Sequence, residues 1–135
     1  MNQKDMIETA SRWLRQGLHD LENAKKNFKI KSYDVTLILC QQAIEKALKA
    51  YYYQKFKKNP PRTHSLEKLL ELVEISNELD ELIVELDDYY FALRYPDISD
   101  KMPYELCDKE DAKSGLEKAG KILRIIEQKI AKQKK

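Results

Sequence analysis

SYDVTLILCQQAIEKALKAYYYQKFKKNPPRTH, residues 32–64, is the stretch from which the rest of the fold follows. Ser32 is placed to cap a helix, because its hydroxyl can accept a backbone N–H of the first turn. Tyr33, Leu37, Cys40, Ile44, Ala47 and Tyr51 then recur at spacings of three and four, which puts them on one helical face. Val35, Ile38, Leu39, Ala43 and Leu48 widen that face until a narrow polar strip remains: Gln41, Gln42, Glu45, Lys46 and Lys49. A helix so apolar belongs in the middle of a bundle. Pro60-Pro61 ends the stretch, since proline lacks the N–H a helix interior needs. The strip reads either as a solvated face, with Glu45 and Lys49 paired one turn apart, or as polar specificity in a dimer seam. Tyr51, Tyr52 and Tyr53 cannot share one face, so at least one should be exposed while the others enter the core. With Phe56 they could alternatively stack on bases.

Helices are expected on both sides. From Lys4 to Phe28, the residues Ile7, Ala10, Leu14, Gly17, Leu21, Ala24 and Phe28 alternate by threes and fours, with Asp20, Glu22, Lys25 and Lys26 on a wet face. Gly17 costs such a helix about 1 kcal/mol relative to Ala, so a close helix–helix approach would explain it. Beyond the prolines, Thr63 or Ser65 caps a short helix carrying Leu66, Leu69, Leu70 and Val73. Ser76-Asn77 reads as a break before a further helix from Glu78 to Leu93, striped by Leu79, Leu82, Ile83, Leu86, Tyr90 and Leu93. One continuous kinked helix from Ser65 to Leu93 is the alternative. The pattern fails between Arg94 and Asp108, a loop long enough to carry function. Asp108 then caps a last helix with Ala112, Leu116, Ala119, Ile122, Leu123, Ile126 and Ile130 on its buried face, where Gly115 and Gly120 hint at close packing.

The fold class is therefore all-α: an up-and-down bundle of four main helices plus one short helix, as one domain over residues 1–135. Charged residues make up 36% of the chain but the net charge is +2, which points to mixed-sign solvated faces and away from a charge-driven nucleic-acid surface. No run approaches the ~20 apolar residues of a membrane span. Cys40 and Cys107 form no CxxC and have no histidine cluster beside them, so a reduced, cytoplasmic setting is expected, with no metal and no cofactor.

Four blocks, HDLENAKKNFKIKSYD, SYDVTLILCQQAIEKALKAYY, PPRTHSLEKLL and YFALRYPD, resemble in their order the HEPN family of small prokaryotic α-helical domains. The resemblance covers nearly the whole chain. It implies a helical bundle, usually homodimeric, with one of two activities. Some members are metal-independent ribonucleases, including toxins of toxin–antitoxin pairs. Others accompany a minimal nucleotidyltransferase chain and assist nucleotide or substrate binding. The ribonuclease signature is an arginine followed, after four to six residues, by a histidine. After Arg94 those positions hold Ser99, Asp100 and Lys101. Cleavage through the 2′-hydroxyl needs a proton acceptor beside a cation that holds phosphate, so Arg94 keeps its role without the imidazole. The balance therefore leans away from an enzyme.

The resulting expectation is a nucleotide-binding module that acts as a homodimer and as partner of a nucleotidyltransferase, with RNA ranked below nucleotide and no membrane. Arg94, Tyr95, Asp97, Arg62, His64 and Lys101 are the candidate nucleotide and phosphate ligands. A degenerate ribonuclease using Arg94 with His64 is the alternative, and a non-binding dimeric scaffold the third. His64 could instead simply pack the loop, and Arg94 could satisfy helix-end carbonyls. His19 reads as solvent-facing. Connectivity supplies a test: two separate helices between Ser65 and Leu93 bring Arg62 and His64 to the end that carries Arg94, Tyr95 and Asp97. One continuous helix sets them at opposite ends.

Overall fold

The computed structural model describes residues 2–133, apart from the side chains of Ser76, Asn77, Glu78 and Leu82. Leu82, expected on the apolar stripe, thus lies outside the described side chains, as do those of the predicted Ser76-Asn77 break. Five helices follow in order: α1 (Gln3–Lys29), α2 (Tyr33–Phe56), α3 (Leu66–Val73), α4 (Ser76–Arg94) and α5 (Lys109–Gln133). A single 3-10 turn, Pro103–Glu105, interrupts the loop before α5, and Leu106 and Cys107 behind it pack on the core. Among the described residues there is no strand, and no helix is long and apolar enough to cross a membrane.

The central position of α2 is borne out, since it packs against α1, α3, α4 and α5. Leu37, Ile44 and Leu48 are fully buried among Leu66, Leu69, Leu70, Leu79, Ile83, Leu86, Ile122 and Ile126. Encirclement also overturns two expectations. Tyr51, Tyr52 and Tyr53 are all buried, the first two in the main core and Tyr53 in a smaller cluster with Met6, Ala10 and Trp13. Of the polar strip, Gln41, Glu45 and Lys49 lie buried inside the single chain and are not solvated, while Gln42 and Lys46 are half-buried. Asp20, expected on the wet face of α1, is likewise buried, held by Lys46 and by Gln16 at 3.0 Å. Ile7, expected on the apolar face, is exposed.

Close approach explains two of the three glycines. A Cβ on Gly17 would stand 2.9 Å from the Ala43 carbonyl oxygen, and one on Gly115 would stand 2.5 Å from Leu37 Cδ2. Gly120 has open space around it, so packing does not account for it.

Two separate helices, not one, connect Ser65 to Leu93. Glu74 takes a left-handed conformation (φ 64°) and ends α3, with its N–H returned to Leu70 and Glu71 carbonyls. The break therefore falls two residues before Ser76-Asn77. Both ends of α3 are held by neighbours. Asp87 of α4 accepts the N–H groups of Leu66 and Glu67 at 2.8 and 2.9 Å, beside the Ser65 cap on Lys68 N. Lys55 of α2 donates to the Val73 carbonyl at 2.9 Å, where a cation suits the negative end of the helix. Ser32 stands at the cap position of α2 but makes no side-chain cap bond; the helix begins on its carbonyl, which accepts from Thr36 N and Oγ1. Asp108 and Asp111 cap α5 reciprocally, each accepting the other's N–H.

Candidate functional site

α3 is short and antiparallel to its neighbour, so its first residue sits beside the second half of α4. That placement brings His64, just before α3, against the last turns of α4. The imidazole stacks on the ring of Tyr90 at 5.2 Å between centroids, with 21° between planes. One turn further on, the guanidinium carbon of Arg94 lies 4.6 Å from the centre of the same ring, and Nη1 is 3.5 Å from the phenol oxygen. His64 and Arg94, 30 positions apart in sequence, thus share one aromatic platform. Tyr90 itself is buried, while His64 and Arg94 are exposed. Burial pushes the Tyr90 phenol up and Arg94 pulls the other way, so the platform is neutral at physiological pH.

His64 is also oriented from beneath. Its Nδ1 lies 3.1 Å from Glu45 Oε1, and its carbonyl accepts from Gln41 Nε2 at 2.8 Å. Glu45 in turn takes Lys49 Nζ at 3.0 Å and Gln41 Nε2 at 3.3 Å. A nitrogen tied to a carboxylate leaves the other nitrogen of the ring to face outward. Lys49 continues the chain of contacts, with its ammonium 5.6 Å from the centre of the Trp13 ring. Gln41 Oε1 is buried with no hydrogen-bond partner among the described residues.

The remaining candidates divide. Tyr95 is exposed and stacks on Phe91 (6.4 Å, 23°), not on Arg94. Asp97 and Lys101 are exposed in the following loop, and no hydrogen bond, ion pair or ring contact among the described residues ties them to Arg94 or His64. Arg62 lines a different cleft, of about 420 Å³, together with Trp13, Lys49 and Tyr53. His19 is exposed on α1 in a groove with Arg12, Arg15 and Gln16. Among the described residues, no group of three or more His, Cys, Asp or Glu could hold a metal ion. Tyr90 and Glu45 were missed as site residues, because the helical pattern assigns one to the core stripe and the other to a solvated strip. A carboxylate on a helix whose apolar residues cover nearly every direction was the available signal.

The HEPN domain model matches residues 10–129. The chain belongs to the HEPN family. No curated protein matches this HEPN chain. Among solved structures, it is similar to TT1696 from Thermus thermophilus, with 29% identity over 89% of this chain and 97% of that one, at a TM-score of 0.75. It is also similar to ST0689, an archaeal HEPN homologue, with 29% identity over 90% and 97% of the two chains and a TM-score of 0.77. The HEPN chain has two histidines, and His64 is the one that reaches the Arg94 platform.

Proposed function

We propose that this HEPN chain is a nucleotide-binding module, dimeric, that accompanies a minimal nucleotidyltransferase chain and recognises phosphate through Arg94. The observation that carries the reading is the placement of the exposed Arg94 guanidinium over Tyr90, beside His64. A planar fork already held against a ring loses less freedom when it grips an anion, and it matches two phosphate oxygens at once. Calorimetric titration with ATP and GTP tests the reading. The wild type gives saturable heat, and Arg94→Ala weakens binding about tenfold to a hundredfold, the value of a charge-assisted contact of about 1.5–3 kcal/mol. No heat at millimolar nucleotide overturns it and leaves a scaffold. Light scattering and co-purification from native extract test the dimer and the nucleotidyltransferase partner.

A second reading, metal-independent RNA cleavage, is favoured by one specific contact, that of Glu45 with His64 Nδ1. An imidazole so oriented can take the 2′-hydroxyl proton through its free nitrogen while Arg94 stabilises the phosphate. RNA cleavage in EDTA that vanishes in both Arg94→Ala and His64→Ala would establish this activity. Intact RNA in the wild type excludes it.

A further inference from the structure

α4 carries two apolar stripes. One faces the core through Leu79, Ile83, Leu86, Tyr90 and Leu93. The other faces out. Glu81, Val84, Asp88, Phe91 and, just past the helix end, Tyr95 succeed one another by threes and fours, and all five are exposed. A helix on the surface of a bundle ordinarily turns polar residues to water. Here Val84 is 56% exposed, Phe91 57% and Tyr95 47%. Phe91 and Tyr95 stack on each other at 6.4 Å. The next turn, closed by the Ile98 N–H on the Tyr95 carbonyl, adds a fourth exposed apolar side chain, Ile98. Single exposed apolar residues need no explanation, but a run of them along one helix face and its end marks a contact surface.

The charges on this face decide what can cover it. Spacings of three and four are those of a coiled-coil seam, with Val84 and Phe91 in one class of core position and Glu81, Asp88 and Tyr95 in the other. Among the described residues neither Glu81 nor Asp88 has an ion pair, and Arg94 is the only basic residue of α4. A second copy of the chain fits such a seam poorly. Packed parallel, it would set Glu81 and Asp88 against their own counterparts. Packed antiparallel, it would press each carboxylate on an apolar side chain and leave the charge unpaired. A foreign helix with Lys or Arg at those two levels meets neither cost.

We infer that the outer face of α4, from Glu81 to Tyr95, docks a helix of a different protein. That helix places Leu or Ile over Val84 and Phe91, and Lys or Arg over Glu81 and Asp88. The face stands apart from phosphate recognition, because Arg94 and His64 stack on Tyr90, a residue of the inward stripe. Any homodimer must then use another face.

The probe is a fluorescein-labelled peptide of about three heptads, with Leu and Lys alternating at the seam positions. Two comparison peptides carry Glu in place of Lys, or the same residues in an order that leaves no apolar face. Fluorescence anisotropy with the full chain should show saturable binding of the Lys peptide and at least tenfold weaker binding of the other two. Phe91→Ser should weaken the Lys peptide at least tenfold. Glu81→Lys combined with Asp88→Lys should reverse the preference to the Glu peptide. These changes fall on exposed side chains, and melting curves check that each variant is folded. No saturable binding at submillimolar protein overturns the inference. So does a patternless peptide that binds equally well, since charge alone would then explain the attraction. A Lys-peptide curve that Phe91→Ser leaves unmoved, or a preference that the double charge reversal leaves unchanged, overturns it as well. Light scattering that finds a dimer in the wild type and a monomer in Phe91→Ser also overturns it, by seating a second copy on this face.

Discussion

Arg94 lies over Tyr90 at 4.6 Å, one helical turn apart on α4, and the ring that receives it also stacks against His64 from another segment of the chain. Side chains at i and i+4 meet naturally on a helix. The third partner arrives only because α3 is a separate helix, pinned by Asp87 at its start.

Tyr90→Leu keeps apolar volume in the core stripe of α4 and removes the platform. With nucleotide bound at Arg94, affinity should fall nearly as far as in Arg94→Ala, although Arg94 and His64 both remain. Tyr90→Phe loses only the long 3.5 Å contact to Nη1 and should keep affinity within about threefold, a change of ~0.6 kcal/mol. Calorimetry on the three variants separates them. Equal binding by Tyr90→Leu and wild type would show that the ring positions nothing.

Gly120→Ala should stabilise the fold, and Gly17→Ala should not. At Gly17 a methyl would press at 2.9 Å on backbone, the Ala43 carbonyl, and α1 would have to move off α2. Overpacking of this kind costs about 1–3 kcal/mol, which outweighs or cancels the ~1 kcal/mol of helix propensity gained. At Gly120 nothing lies within 4 Å, so propensity acts alone and stabilises by roughly 0.5–1 kcal/mol. Urea melts of the two variants decide this.

Lys49→Met leaves the Glu45 carboxylate buried with its nearest cation gone, which costs about 3–5 kcal/mol for a pair of this burial. Glu45→Gln added to Lys49→Met removes the stranded charge and should recover much of the loss. A double-mutant cycle measured by urea unfolding reads the coupling. Additive single effects would mean that water reaches the pair.

Alkaline pH should destabilise the fold through its thiols. Burial pushes Cys40 from 9.0 up to about 12. Burial, followed by the carboxylates of Asp34, Asp111 and Asp108, pushes Cys107 to about 11. Below pH 9 both thiols stay protonated folded or unfolded, and their contribution is fully present. Between about pH 9 and 12 the unfolded chain releases protons that the folded chain keeps, so stability falls as pH rises. Melting temperatures at pH 8, 9.5 and 10.5 should decline, with a shallower slope in Cys107→Ser. Iodoacetamide at pH 8 should spare Cys40 in the folded chain and label it in urea.

What the sequence determined by itself was the helices and their inward stripes. Leu66, Leu69, Leu70 and Val73, or Ala119, Ile122, Leu123 and Ile126, need only a period of 3.6 to be read as buried, whereas misfit with helix propensity marks a close approach at Gly17 and not at Gly120. Helix ends were less legible. Lys31, Lys57 and Glu74 adopt left-handed angles although the chain offers glycine at none of them, so the usual marker of a stop is absent. Tertiary structure alone decided the fate of the polar residues. Neighbours cover most of α2 and leave only a narrow part-exposed strip along Val35, Leu39, Gln42 and Lys46, so Glu45 and Lys49 pair inward, Asp20 is buried with Lys46, and all three tyrosines are buried. Periodicity describes one helix at a time. The meeting of His64, Tyr90 and Arg94 depends on how three segments are arranged in space, and only packing sets that arrangement.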